Sequence, residues 1–442
     1  MIEPAVPLLE STARKLLAQL VTGAVSAVAA TEACLARIDA REPEIHAWAW
    51  LDRPLALAQA KAADARRASG AVLGPPHGLP VGVKDIIDTA DMPTQLGTVI
   101  HEGRRPAADA TIVTRLREAG AVVIGKTVTS ELAVYTAGPT RNPHDVSRTP
   151  GGSSSGSAAA VAAGMVPLAL ATQTNGSTIR PASFCGVVGY KPSLGLLPRG
   201  GVLKQSRALD QPGLIARDVE DVALLARALF GRDPEEMGSP WASTPALSFP
   251  PSNASPSRLG FIRPPEWDRI EPAARAALET WLKGLGGLVE TVALPYEFAD
   301  AVRIHATIMH ADLAQAYHND HERAGDLMSA RLRGLIELGR ATSAVDYVEA
   351  LEAREQLRLA FRRVAAPFDA LITPATLGIA PKFEQGTGDP SLATPWTLLA
   401  APALTLPLLT GDEGMPVGVQ LVGAPFSDDR MLRAALWLER RA

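Results

Sequence analysis

The spacing of apolar positions changes character several times along the chain. Over 10–68 apolar and charged residues alternate at helical spacing, with Ser26 and Thr31 in capping positions, which predicts helices packed over a core. From Val81 the pattern shifts to short β-branched runs at 81–83 and 121–124, with a helical stretch at 110–119 between them. A small-residue helix at 157–163, stopped by Gly164, leads into a buried strand at 166–171. Strand signals at 213–216, 259–262 and 289–294 then alternate with helical ones at 218–229 and 272–285. The segment 297–366 reads as mostly helical. Sheet-like runs return at 370–373, 403–408 and 417–421, the last two joined by the Gly-Asp-Glu-Gly turn at 411–414. An amphipathic helix over 428–441 places Met431, Leu432, Ala435, Leu436 and Leu438 on or near one face. Strands alternating with helices define an α/β chain.

Composition narrows the function classes. The 442 residues are 47% hydrophobic and 20% charged, an ordinary globular balance that buries a large core. A net charge of -4 and the lack of any basic run leave no electrostatic case for nucleic acid. The apolar runs at 157–172 and 396–409 are short and broken by Gly or Pro, so no membrane span is expected, and the first residues show no basic secretory leader. A cytoplasmic enzyme is the default. Cys34 and Cys185 are too few for a disulfide framework, and Cys185, between Phe184 and Gly186, reads as a buried free thiol. Pro and Ser crowd 239–257, the best candidate for an internal linker, or for a surface loop joining two halves of one fold.

The chemistry gathers in 149–194. Two glycine-and-serine turns, 151–157 and 173–177, flank the small-residue helix and the strand that follows it. In sheets flanked by helices, ligands bind at the carboxyl ends of strands, so Ser177 faces a site. The backbone amides of Thr174, Asn175, Gly176 and Ser177 are placed to converge on one oxygen, as an oxyanion hole requires. Gly152-Ser-Ser-Ser-Gly156 also fits the G-x-S-x-G elbow, which points to Ser154 instead. An elbow follows a strand, however, and 141–150 is a polar loop interrupted by prolines.

The run PGGSSSGSAAA followed by TQTNGSTIRPASFCG resembles the amidase signature family of Ser-Ser-Lys amide hydrolases. Pro76-His-Gly-Leu-Pro-Val-Gly-Val-Lys84-Asp85 is similar to the family's lysine segment, and 125–127, 142–143, 189–192, 369–374 and 414–423 fit in order, so the likeness spans nearly the whole chain. It implies a single large domain over 1–442 with a mixed β-sheet covered by helices on both sides. It also implies Ser177 as nucleophile, Ser153 as a bridging serine held in a cis peptide, and Lys84 as base. Lysine serves as a base only when neutral, which burial away from anions favours. Ser153 then relays the proton from Ser177 to Lys84 and returns it to the leaving nitrogen. No metal or organic cofactor is needed.

Three departures stand out. Asn175 replaces a glycine of many relatives, and its side chain either narrows the pocket or disturbs one amide donor. Gln173 replaces their aspartate and receives no catalytic role. Arg180 follows Ser177 by one residue more than usual, in a GSTIRPA form that resembles the malonamidase-like branch. Arg180 either meets a substrate carboxylate or is structural, paired with carbonyls or an acidic neighbour. The expected activity is therefore hydrolysis of a small carboxamide, with a small-molecule amide as ligand, no nucleic acid or membrane partner, and a homodimer left open. The alternatives are an ammonia-supplying amidotransferase subunit, an esterase or hydrazide hydrolase using the same centre, and a binding protein with a disabled centre.

Half of the eight histidines, His305, His310, His318 and His321, fall in the helical segment 297–366, where the family shapes its substrate pocket. His318 and His321 share a helix face, but the His-Glu-x-x-His order is absent and no cysteine joins them, so they read as solvated rather than as metal ligands. Together His318→Ala and His321→Ala are expected to leave turnover intact; loss of turnover that added metal restores is the contrary result.

Overall fold

The computed structural model describes residues 11–233 and 255–441. Eleven strands form one sheet: β1 (Trp48–Leu51), β2 (Pro80–Lys84), β3 (Val122–Thr127), β4 (Leu168–Gln173), β5 (Val188–Lys191), β6 (Gln211–Ala216), β7 (Leu259–Ile262), β8 (Val289–Val292), β9 (Ala370–Pro374), β10 (Ala403–Thr410) and β11 (Pro416–Val422). Their order across the sheet is β1-β3-β2-β4-β6-β5-β10-β11-β9-β7-β8. The sheet is mixed, as expected: β2 runs parallel to both β3 and β4, whereas β6, β5, β10 and β11 are antiparallel to their neighbours. Every residue of β2 through β6 is buried, which is why these strands read as continuous apolar or small-residue runs rather than as alternating ones.

Helices flank the sheet. Helices Val219–Leu229 and Asp428–Glu439 pack on each other and on strands, and so do helices Ser155–Ala162 and Ile179–Phe184. The amphipathic pattern of the last long helix is realised, with Met431, Leu432, Ala435, Leu436 and Leu438 all buried. Ser26 caps helix Ala27–Ile45 by accepting the Ala29 N–H at 3.0 Å. Thr31 is not a cap; it lies buried inside that helix, because the chain turns helical one residue after Ser26. β1 and β5 are four residues each, too short to carry a period, and their places come from pairing with β3 and with β6 and β10.

The helical segment begins with a short turn and continues as Ala301–Ala316, His318–Ala324, Ala330–Ala341 and Ala344–Ala365. The first of these packs against the third, the fourth and the short helix Thr394–Leu398. The Pro/Ser-rich stretch falls mostly outside the described residues; at its end Ser257 donates from its N–H and its hydroxyl to Asp369. Both cysteines are free and buried, and burial raises both thiols, Cys34 to about 12. Among the described residues no helix is long and apolar enough to cross a membrane.

Gly156 shows how tightly the helix under the site is seated. A Cβ there lies 2.3 Å from both the Ala47 carbonyl oxygen and the Val128 nitrogen, backbone atoms on two sides that cannot swing away. Gly156→Ala is therefore expected to destabilise the fold by about 1–3 kcal/mol. Gly334→Ala, at a helical position where a Cβ meets nothing within 4 Å, is expected to stabilise slightly. Thermal melting of the two variants checks this, and an unchanged melting temperature for Gly156→Ala contradicts it.

Candidate active site

Lys84 is the last residue of β2, and the loop holding Ser177 leaves the adjacent parallel strand β4, so both open at the carboxyl ends of neighbouring strands. The Lys84 side chain is fully buried. Its Nζ donates to Ser153 Oγ at 2.7 Å and to Thr172 Oγ1 at 2.8 Å, and it makes no ion pair among the described residues. Burial holds its pKa well below the ordinary 10.5, opposed only by the more distant charge of Asp210. The Gly152–Ser153 peptide bond is cis.

Ser153, Ser177, Asn175 and Arg180 line one cavity together with Tyr135 and Thr387. The cavity has a volume of about 20 Å³, on the order of one water molecule. A larger cavity of about 420 Å³ lies on the far side of Thr174 and Gln205, with Thr172 and Asp210 in its wall. The wall between the two is hydrogen-bonded: the Thr174 hydroxyl lies 2.7 Å from both Gln205 Oε1 and Asp210 Oδ1. Asp210 also accepts the Gln205 and Ser206 N–H groups, and burial raises its pKa to about 6.

Ser154, the elbow candidate, is fully buried and its Oγ donates to the Thr172 carbonyl, so it faces strand β4 and is not part of the cavity lining. The segment before it is a loop, as the prolines require. Arg180 is paired with a backbone carbonyl, as its structural reading has it. Its Nη2 donates to the Gly152 carbonyl at 2.7 Å and to Thr387 Oγ1 at 3.3 Å, while Nε and Nη1 have no partner among the described residues. Burial lowers its pKa to about 10, which still leaves a cation at neutral pH. A buried guanidinium with two unpaired nitrogens at a cavity wall has donors left over for an acceptor.

Asn175 lines the cavity. Its side-chain amide is engaged by the Tyr135 hydroxyl at 2.8 Å on one side and by the Thr394 hydroxyl on the other. The N–H groups of Asn175, Gly176 and Ser177 have no acceptor among the described residues, which leaves them free for a substrate oxygen. Gln173, left without a role by the sequence, anchors this loop: its Oε1 accepts the N–H groups of Thr178 (2.9 Å) and Ile179 (3.1 Å).

Nothing local in the chain chose among the histidines. His305 is the one that reaches the loop, its Nε2 lying 2.8 Å from the Thr174 carbonyl oxygen. Burial pulls its pKa to about 4. Tyr317 donates to the Leu132 carbonyl at 2.7 Å, and His321 approaches Arg340, Glu322 and Glu337 rather than the cavity. Tyr135 carried no signal at all, since a lone tyrosine in a loop has no pattern to mark it until the fold turns it inward.

The comparisons with known proteins agree with this geometry. The model of the amidase family matches residues 29–432. A glutamyl-tRNA(Gln) amidotransferase subunit from Anaeromyxobacter sp. (strain K) is 38% identical, covering 100% of this chain and 98% of its own length. The protein of the same name from Chloroflexus aurantiacus (strain ATCC 29366 / DSM 635 / J-10-fl) is 36% identical, covering 94% of this chain and 93% of its own. Among solved structures, the native peptide amidase from Stenotrophomonas maltophilia superposes with a TM-score of 0.83 at 30% identity, covering 99% of this chain and 98% of its own. A structure from a vestigial protein complex that reveals the evolutionary origins of an s-triazine catabolic enzyme reaches 0.90 at 31% identity, covering 98% of this chain and 99% of its own. The chain belongs to the amidase family. Its chemistry is the cleavage of amide bonds.

A lysine that must be neutral to accept a proton makes the rate rise with pH. A base role for Lys84 predicts that kcat/KM climbs through one ionisation well below 10.5 and levels off on the alkaline side. A rate that peaks in mild acid and falls through neutrality contradicts this assignment.

Proposed function

We propose that this chain cleaves the C–N bond of a small, carboxylate-bearing amide through an acyl-enzyme on Ser177, with Lys84 as base and Ser153 as proton relay. The observation that carries the reading is the 2.7 Å hydrogen bond between Lys84 Nζ and Ser153 Oγ in a fully buried setting. Ser177 Oγ bonds to the amide carbon while its proton passes to Ser153 and that of Ser153 to Lys84. The carbonyl oxygen takes the negative charge and is held by the amides over 174–177. As the C–N bond breaks, the proton returns by the same route to the leaving nitrogen. Water then repeats the attack, the ester to Ser177 breaks, and the acid leaves. Arg180 holds the carboxylate of the substrate.

Two readings differ in the fate of the nitrogen. Identity of 38% to a glutamyl-tRNA(Gln) amidotransferase subunit, over the whole chain, supports the first, in which the amide is that of glutamine and its ammonia passes to a partner. The second is a free-standing hydrolase of a shorter carboxamide, supported by the likeness to the peptide amidase from Stenotrophomonas maltophilia; the cavity of about 20 Å³ holds about one water and does not choose between the two. The comparisons weigh toward the first, the ammonia-supplying reading.

Ammonia release from glutamine, malonamate, aliphatic amides and aryl amides tests both. Ser177→Ala is expected to abolish release from every one of them. Arg180→Leu is expected to raise KM for the carboxylate-bearing amides roughly 10–100-fold and to affect the neutral ones less, through the lost bond to the Gly152 carbonyl. Turnover that survives Ser177→Ala removes the acyl-enzyme reading. Release from glutamine marks the first reading, and release from malonamate without glutamine marks the second.

A further inference from the structure

We infer that His305 and Thr397 are positioning residues that aim the backbone amides of the oxyanion hole, an inference that rests on the acyl-enzyme reading above. In a trans peptide the C=O and the following N–H point in opposite directions, so anchoring one carbonyl fixes where the next amide hydrogen points. The three peptide units from Thr174 to Ser177 are all trans, since the one cis bond among the described residues is Gly152–Ser153.

Each of their carbonyls is held by a hydrogen bond. The Thr174 oxygen accepts from His305 Nε2 at 2.8 Å, the Asn175 oxygen from Thr397 Oγ1 at 2.6 Å, and the Gly176 oxygen from the Arg180 N–H at 3.0 Å. The N–H groups on the opposite edges of those units belong to Asn175, Gly176 and Ser177, none of which has an acceptor among the described residues. Three anchored carbonyls thus correspond, unit by unit, to three free donors.

Two of the anchors are side chains, from distant parts of the chain. His305 projects from helix Ala301–Ala316 and Thr397 from helix Thr394–Leu398, and these helices pack against each other. The hydrogen positions are determined by what surrounds them. A carbonyl oxygen accepts only, so His305 carries its proton on Nε2. Gln173 Oε1 already accepts two backbone N–H groups, so its Nε2 donates to Thr397 Oγ1 at 2.9 Å. That leaves the Thr397 proton for the Asn175 oxygen. Burial also keeps His305 neutral, with its pKa near 4, so the contact does not change charge across the working range.

A buried histidine that only fills space makes a different prediction from one that aims a donor, and a fluorophosphonate separates them without knowledge of the substrate. It reacts with an activated serine: the Ser177 Oγ–P bond forms, the P–F bond breaks, fluoride leaves, and the serine proton passes along the Ser153/Lys84 relay. The phosphoryl oxygen occupies the oxyanion position. Mass spectrometry gives the labelling rate and the labelled residue, and thermal melting runs in parallel.

His305→Leu is expected to slow labelling of Ser177 about 10–100-fold, less than the loss of a whole donor. His305→Gln, whose side-chain amide keeps an N–H in reach, is expected to recover most of the rate. Thr397→Val is expected to slow labelling and Thr397→Ser to restore it. The inference is overturned if folded His305→Leu labels at the parent rate, or if His305→Gln and His305→Leu are slowed equally at equal melting temperatures. A parent chain that does not label at Ser177 overturns the acyl-enzyme reading itself, whereas a parent that labels beside unaffected variants overturns only the role of His305 and Thr397.

Discussion

Burial of one amine is the constraint on which the rest of the site depends. Lys84 ends a strand in the middle of the sheet, between β3 and β4, where water does not reach it and no carboxylate pairs with it among the described residues. Keeping a full charge there costs several kcal/mol, which holds the Lys84 pKa well below its ordinary value and favours the neutral amine that the proposed base role requires. Its two contacts, Ser153 Oγ and Thr172 Oγ1, are hydroxyls that satisfy an amine without restoring its charge. The parallel pairing of β2 with β4 then sets the base and the Ser177 loop side by side at the ends of adjacent strands.

The neighbouring lysines show that burial alone is not the device. Lys126 and Lys191 are buried as deeply, and burial depresses both, to about 8 and about 7. Lys126 donates to the Ile87 carbonyl and to Thr94 Oγ1, and Lys191 to the Ala401 carbonyl and Gln211 Oε1. Neither lines the small cavity, and the hydroxyls that Lys126 does meet, those of Thr94 and Thr89, are not part of its lining either. Lys84 differs in what it touches, a serine hydroxyl that itself opens on the cavity shared with Ser177.

Most of the sheet was legible because its strands are buried on both faces and write themselves as short apolar runs between turn signals. The candidate site was legible for two different reasons: Ser153, Ser177 and Arg180 sit in stretches whose glycines and serines have few structural uses at that density, whereas Lys84 stood out only through the likeness of its segment to the amidase family. What stayed hidden depends on tertiary placement. His305 shares its segment with three other histidines, and nothing local marks the one whose ring meets the Thr174 carbonyl. β1 is paired by β3 and not by its own pattern, and Tyr135 meets Asn175 only because the loop after β3 folds back over the cavity. Gln173 was visible as a departure from its relatives, yet its two backbone contacts could not be read without the turn that brings Thr178 and Ile179 to it.

The charge state of Lys84 is the most direct test of this account. Lysines carrying ¹³C at Cε, with the Lys84 signal assigned by its loss in Lys84→Met, report protonation through their chemical shift. Followed from about pH 6 to about 10, Lys84 is predicted to lose its proton well before the surface lysines, which titrate near about 10.4. A Lys84 signal that stays in the ammonium range until the surface lysines titrate contradicts the account, because a charged amine cannot draw a proton through Ser153.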